Sequence, residues 1–253
     1  MIAAVSSDRV QSVARAFSLL EHLADAGGAL GVTEMATVSG LPPPTIHRLL
    51  RSLVSQGYVR QDSSRRYAIG PRLIRIGEAA SRMLGAWATP FLTELVQRVG
   101  ETANMALLDG DGAVYVAQVP SRNTVRMFTE VGRVVQLHST GVGKALLSML
   151  SDDEIRAIVA RTGLPTVTEH TITSLSELLA SVERARRIGY TIDDGGQELG
   201  VRCVAVPIPG LPFKAALSVS GPSSRVSVGQ TSVIAPVLQE VAVQMREGFP
   251  SGV

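Results

Sequence analysis

Between Thr33 and Ile69 the chain sets out, in immediate succession, a short capped helix, a glycine turn, a helix with one polar face and a hairpin with a basic tip. Thr33 takes an N-cap position before Glu34-Met35-Ala36-Thr37-Val38, and Ser39-Gly40 closes that helix. Pro42-Pro43-Pro44 opens the next one, where the amide that proline lacks would be unpaired anyway. In it Ile46, Leu49, Leu50 and Leu53 recur at helical spacing, so Thr45, His47, Arg48, Arg51 and Ser52 face away from the core. Tyr58-Val59-Arg60-Gln61 and Tyr67-Ala68-Ile69 flank Asp62-Ser63-Ser64-Arg65-Arg66, a hairpin with a cationic tip. A small helical domain with a solvated cationic face would account for any one piece. The ordered set fits a winged helix-turn-helix, whose second helix enters the DNA major groove.

That geometry nominates DNA-facing residues. Thr33, Thr45, His47, Arg48, Arg51 and Ser52 belong to the helical reader, with Arg48 and Arg51 able to donate to guanine edges or phosphates. Arg65 and Arg66 at the hairpin tip suit the sugar-phosphate backbone or the minor groove.

A polyanionic partner sits poorly with a net charge of only +2, but the charge is polarised along the chain. Residues 1–82 hold ten arginines against six carboxylates, a local +4, while the remainder carries fourteen basic and sixteen acidic residues, a local −2. The 45% hydrophobic content of 253 residues is ample for a real core, in one large domain or two smaller ones. No apolar run reaches membrane-spanning length, and Met1 to Asp8 lacks a basic lead, so a cytoplasmic location is expected. Cys203, the single cysteine, cannot form an intramolecular disulfide and fits a reducing compartment.

Upstream of the reader, Val10, Val13, Phe17, Leu20 and Leu23 predict one buried face of a helix that Gly27-Gly28 ends. Downstream, Leu73, Ile76, Ala80 and Met83 predict a linker helix, and Trp87, Phe91, Leu95 and Val99 a second helix that Pro90 bends or restarts. The expected division is a winged helix-turn-helix domain over 1–70, a linker helix over 71–84, and an effector-binding and oligomerisation domain over 85–253. Asn104 to Leu108 and Ala113 to Val119 surround Asp109-Gly110-Asp111-Gly112, a hairpin signal, and a further strand is expected near Val125-Arg126-Met127-Phe128. A helix follows from Ala145 to Leu150, and Ser151/Glu154 and Ser174/Glu177 have capping-box spacing for two more, stopped by Gly163 and Gly189. Strands near Tyr190 to Ile192, Val201 to Pro207 and Lys214 to Ser220 and a helix from Thr231 to Glu247 complete an α+β domain.

Chemistry is sparse in this larger part. Gly141-Val142-Gly143-Lys144 lacks the glycine and hydroxyl residue that a phosphate loop needs at His138 and Ala145, although its amides suit a small anion such as a carboxylate. Cys203 with His138 would make a nucleophile and base, the mark of a cysteine-dependent enzyme tethered to DNA. Asp193, Asp194, Cys203 and His138 would make a metal-sensing regulator, but their spacing matches no standard ligand pattern. No cofactor is expected. A reader joined to a domain without a catalytic constellation is the arrangement of a ligand-gated regulator.

The sequence resembles the IclR family of bacterial transcriptional regulators over about residues 8–248. The likeness lies in Thr33-Glu34-Met35-Ala36 through Gly40-Leu41-Pro42 and Thr45-Ile46-His47-Arg48-Leu49-Leu50, and in Gly57-Tyr58-Val59 with Tyr67-Ala68-Ile69-Gly70. It continues in Leu137 to Ala145, and in Gly189-Tyr190 through Asp193-Asp194 to Gly200-Val201-Arg202-Cys203-Val204-Ala205. The resemblance implies a winged helix-turn-helix with a GAF-like effector domain, a dimer or tetramer on a (pseudo)palindromic operator, and a small organic acid or aromatic catabolite as effector. It assigns pocket roles to Asp193, Cys203, Ser218, Ser220 and the amides of Gly141 and Val142, with Met127, Val125 and Leu137 as apolar walls. Ser218 and Ser220 would point to one side of a strand. The chain departs from the family pattern at Pro43-Pro44, at the slimmer Ser139-Thr140-Gly141 and at Gly195-Gly196, which implies a different operator and a different or bulkier ligand.

Overall fold

The computed structural model describes residues 10–127 and 129–249, without the side chains of 81–84. The chain forms two compact units, Met1–Ala80 and Ser81–Val253. Residues 1–9, read above as carrying no leader, lie outside the described residues, as does the side chain of Met83. No described helix is long and apolar enough to cross a membrane.

The first unit contains α1 (Gln11–Asp25), α2 (Val32–Ser39), α3 (Pro43–Ser55), β1 (Val59–Gln61), β2 (Tyr67–Ile69) and the start of α4 (Arg72–Val99). Leu19, Leu20 and Leu23 of α1 pack with Met35, Ile46, Leu49, Leu50, Val59 and Tyr67. Only the second half of the expected α1 stripe is therefore buried; Val10, Val13 and Phe17 are exposed, because the core reaches only the Leu19 to Leu23 end. α2 begins earlier than expected. Its N-cap is Gly31, whose N–H donates to Glu34 Oε2 at 2.6 Å, so Thr33 lies inside the first turn. Pro42 caps α3 and Pro43 takes its first helical position. β1 and β2 pair antiparallel with Arg60 opposite Ala68, and Leu30 and Tyr67 exchange two backbone hydrogen bonds of 2.8 Å.

The two helices expected on either side of Pro90 are one, α4. Proline there removes the bond to the Ala86 carbonyl, a local cost. Burial of Ala88, Leu92, Leu95 and Val96 offsets it, and the Thr89 hydroxyl donates to Gly85 O at 2.6 Å.

The second unit is built on β3 (Thr102–Asp109), β4 (Gly112–Val119), β5 (Val134–Gln136), β6 (Thr191–Asp194), β7 (Val201–Ile208) and β8 (Ala215–Pro222), in the order β5-β4-β3-β8-β7-β6 with every neighbouring pair antiparallel. One face carries Met105, Val204, Val206, Leu217 and Val219 against the second half of α4 and against α8 (Val228–Glu247). The other carries Ala106, Tyr115, Cys203, Ala205 and Ala216 beneath α5 (Gly141–Leu147), α6 (Asp152–Thr162) and α7 (Leu175–Ile188). The unit is α+β, as its mixed order of strands and helices implied.

The Asp109 to Gly112 turn and both halves of the Ser151/Glu154 capping box are present. Three expected boundaries move. Residues 125–127 are not strand, Phe128 lies outside the described residues, and the short partner of β4 is Val134–Gln136. α5 starts at Gly141 rather than Ala145, because the Thr140 hydroxyl accepts the Gly143 N–H at 3.1 Å, and it ends at Leu147. α8 starts at Val228 rather than Thr231, with the Ser227 N–H donating to Gln230 Oε1 at 3.0 Å.

Candidate functional site

In the first unit, Ile46, Leu49 and Leu50 anchor α3 and turn His47, Arg48, Arg51 and Ser52 to solvent, with Thr45 half-buried at the entry to the helix. Thr33 is exposed on α2. The hairpin tip is shaped by Asp62, whose Oδ1 accepts from Ser64 Oγ at 2.7 Å and from the Arg66 N–H at 2.9 Å. Arg65 there adopts the left-handed φ of 62° and points into solvent. Arg66 has another task than the one its sequence position suggested. Its guanidinium donates to Ala29 O at 2.7 and 3.1 Å and pairs with Glu34 at 2.9 Å, tying the wing to the start of α2. The same Glu34 carboxylate is held below its ordinary pKa by the Gly31 N–H first and by Arg66 second.

In the second unit a cavity of about 340 Å³ opens over the sheet face beneath α5. Five of the nine sequence-nominated pocket residues line it: Met127, Gly141, Asp193, Cys203 and Ser220. Register brings three of them together, since Asp193 lies opposite Cys203 and Cys203 opposite Ser220. Val142, on α5, is buried in the core, and Ser218 sits fully buried opposite Ala205, two pairs further along the ladder. Val125 and Leu137 are not among the lining residues either. Tyr115, Thr129, Arg133, Thr140, Val167, Gln197 and Glu198 were not foreseen as walls. They come from five separate stretches and, Thr140 apart, carry no motif, so strand register and loop packing are what bring them to the cavity.

The space left by the small side chain at position 141 does not enlarge the cavity. A Cβ on Gly141 would stand 2.7 Å from Cys203 Sγ, so the thiol fills that room and α5 packs directly on β7. Gly196 serves Asp193 in the same way, because a Cβ there would stand 2.5 Å from Asp193 Oδ1. The Lys144 Nζ donates to Asp193 Oδ1 at 3.2 Å with both side chains nearly fully buried, so the Asp193 charge is balanced from within the fold. Burial pushes the Cys203 thiol up to about 11. Burial first, then Cys203 and Asp193 nearby, also raises the Tyr115 phenol, which stays a neutral hydroxyl.

The nucleophile-and-base pair is not favoured: His138 Nε2 is engaged with Pro165 O at 3.0 Å, and burial raises the Cys203 thiol, which disfavours a thiolate. Asp194, counted with Asp193 as a metal ligand, turns outward to Arg202 at 2.8 Å, and the described residues hold no His, Cys, Asp and Glu group able to bind a metal ion.

Comparison with known proteins agrees with both halves of the molecule. The IclR helix-turn-helix domain matches residues 12–63, and the bacterial transcriptional regulator IclR C-terminal domain matches residues 79–246. The chain is 38% identical over 232 residues to the transcriptional repressor IclR of Escherichia coli K12, covering 88% of this chain and 84% of that protein. It is 35% identical over 228 residues to the HTH-type transcriptional repressor AllR of the same organism, again covering 88% and 84%. Among solved structures, the IclR transcriptional regulator from Alicyclobacillus acidocaldarius matches with a TM-score of 0.82 at 27% identity, covering 95% of this chain and 99% of that one. The chain belongs to the IclR family of bacterial transcriptional regulators, with a DNA-binding helix-turn-helix followed by an effector-binding domain.

Proposed function

We propose that this regulator acts in the cytoplasm as a dimer or tetramer on a (pseudo)palindromic operator, and that its DNA affinity or promoter activity changes when a small organic acid or aromatic catabolite occupies the 340 Å³ cavity. The composition of that cavity carries the reading. The Ser220 hydroxyl, the neutral Tyr115 phenol and the first-turn amide of Gly141 are donors suited to a carboxylate, and Lys144 already balances Asp193. On the DNA side, the exposed His47, Arg48, Arg51 and Ser52 are the reading set, with Thr45 and Thr33 beside them and Arg65 at the wing. Arg66 is left to its structural role. A two-fold dimer would present two such sets to successive half-sites and double the local positive charge.

A thermal-shift screen of small carboxylates and aromatic acids tests the cavity, since a ligand at 100 times its dissociation constant stabilises by about 2.7 kcal/mol. The Ser218→Ala/Ser220→Ala double variant is expected to keep its operator affinity and lose the ligand-induced shift. If that variant responds like the wild type, or no acid stabilises the wild type, the reading is wrong.

A further inference from the structure

Among the described residues three buried side-chain atoms have no hydrogen-bond partner: Asn104 Nδ2, Ser218 Oγ and Arg202 Nε. Arg202 is otherwise well satisfied, by Asp194, Ser223 O and Val226 O. The other two belong to a single place. Asn104 lies directly opposite Ser218 across β3 and β8, and neither side chain has any exposed surface. Buried polar groups are nearly always paired, so two adjacent orphans call for a missing third party.

Their place in the ladder shows where that party would enter. Strand alternation puts both side chains on the face that bears Ser220 and Tyr115. On one side of the pair the ladder runs Thr102, Ser220, Cys203, Asp193, and the last three line the cavity. On the other side Ala106 pairs with Tyr115, which lines it too. The Asn104–Ser218 pair is thus bracketed by cavity walls, and the alanines at 106, 205 and 216 around it leave little bulk on that face. Gln118 fixes the direction of the amide: its Nε2 donates to Asn104 Oδ1 at 2.9 Å, so the NH2 is the half left over.

We propose that Asn104 and Ser218 form a second polar seat of the effector cavity, which takes an acceptor oxygen carried roughly 7 Å from the ligand carboxylate, the distance of two residues along a strand. Asn104 is then a specificity-determining residue and Gln118 its positioning residue. This rests on the reading of the cavity as an acid-binding site. The ligand class it selects is bifunctional: a carboxylate at the Ser220 end and a keto or hydroxyl oxygen across the cavity.

The test is titration calorimetry on the full chain with two matched pairs of acids, benzoate with 4-hydroxybenzoate and pentanoate with 4-oxopentanoate. The wild type is expected to bind the oxygenated member of at least one pair roughly tenfold more tightly, the scale of a buried hydrogen bond to an otherwise unpaired donor. Asn104→Leu and Ser218→Ala should bring the two members level, Gln118→Leu should shrink the preference with Asn104 still in place, and Ser220→Ala should weaken both members alike. Ser218→Ala removes one oxygen atom and decides the matter if Asn104→Leu does not fold. A wild type that binds the acids without preference, or a preference intact in Ser218→Ala, overturns the seat while leaving the acid-binding cavity standing. A crystal structure with the oxygenated acid bound and a water still bridging Asn104 and Ser218 overturns it as well. If no acid of either pair binds the wild type, the acid reading of the cavity falls and the seat falls with it.

Discussion

A methyl group on Gly141 would stand 2.7 Å from the Sγ of Cys203 and 3.3 Å from its Cβ. The first turn of α5 and strand β7 are therefore in contact through a position where only hydrogen fits. Gly141→Ala is expected to destabilise the fold by about 1–3 kcal/mol, the usual range for overpacking a core. Adding Cys203→Ala should recover part of that loss, giving a nonzero coupling in a urea-denaturation double-mutant cycle. Additive losses would show that α5 does not rest on the thiol.

The Lys144–Asp193 pair supports the same junction from the other side. Removing one partner of a buried pair leaves an uncompensated charge, so Lys144→Met should cost about 3–5 kcal/mol in chemical denaturation. Lys144→Met with Asp193→Leu should cost distinctly less, because no charge is then stranded.

Cys203 makes stability depend on pH in the alkaline range. Its thiol moves from an ordinary 9.0 to about 11 in the folded chain, so between those values the unfolded state has lost a proton that the folded state keeps. The contribution is complete below pH 9.0 and is lost as pH rises toward about 11. Melting temperatures should accordingly fall faster between pH 9 and 11 for the wild type than for Cys203→Ala. Parallel curves for the two proteins would contradict the buried neutral thiol.

On the DNA side the two arginines Arg48 and Arg66 should separate cleanly. Arg48 is exposed on the reading face, and its replacement by alanine should cost roughly 1–3 kcal/mol of specific affinity if it meets a base edge. Arg66 is engaged with Ala29 O and Glu34, so Arg66→Ala should lower the melting temperature of the first unit and change DNA affinity mainly through that loss. Fluorescence anisotropy with an operator fragment beside thermal melting distinguishes the two.

Signals that act within a few residues were legible in the chain. The stripe Ile46, Leu49, Leu50, the Asp109 to Gly112 hairpin turn and the Ser151/Glu154 capping box all describe local geometry, and each stands in the structure. What depends on distant packing was not. The Val10, Val13, Phe17 stripe has the same periodicity as a buried one, and nothing local tells how far the core extends along α1. Pro90 reads as a break because the burial of Leu92 and Leu95 that offsets it comes from strands later in the chain. Of the cavity, Asp193, Cys203 and Ser220 were found by resemblance, whereas Tyr115, Thr129 and Gln197 become walls only once the strands are in register.

The centre of the large sheet joins β3 to β8, so Thr102 meets Ser220 only when nearly the whole chain exists. During synthesis an N-terminal domain folds first, and pairings of high sequence separation close late. The reader is therefore finished on the ribosome while its sensor still has no floor. A message truncated before Ala215 would yield a chain with a complete helix-turn-helix and no β8, blind to any effector. Frameshifts late in the gene are then expected to produce unresponsive regulators or degraded chains rather than ones with altered DNA preference.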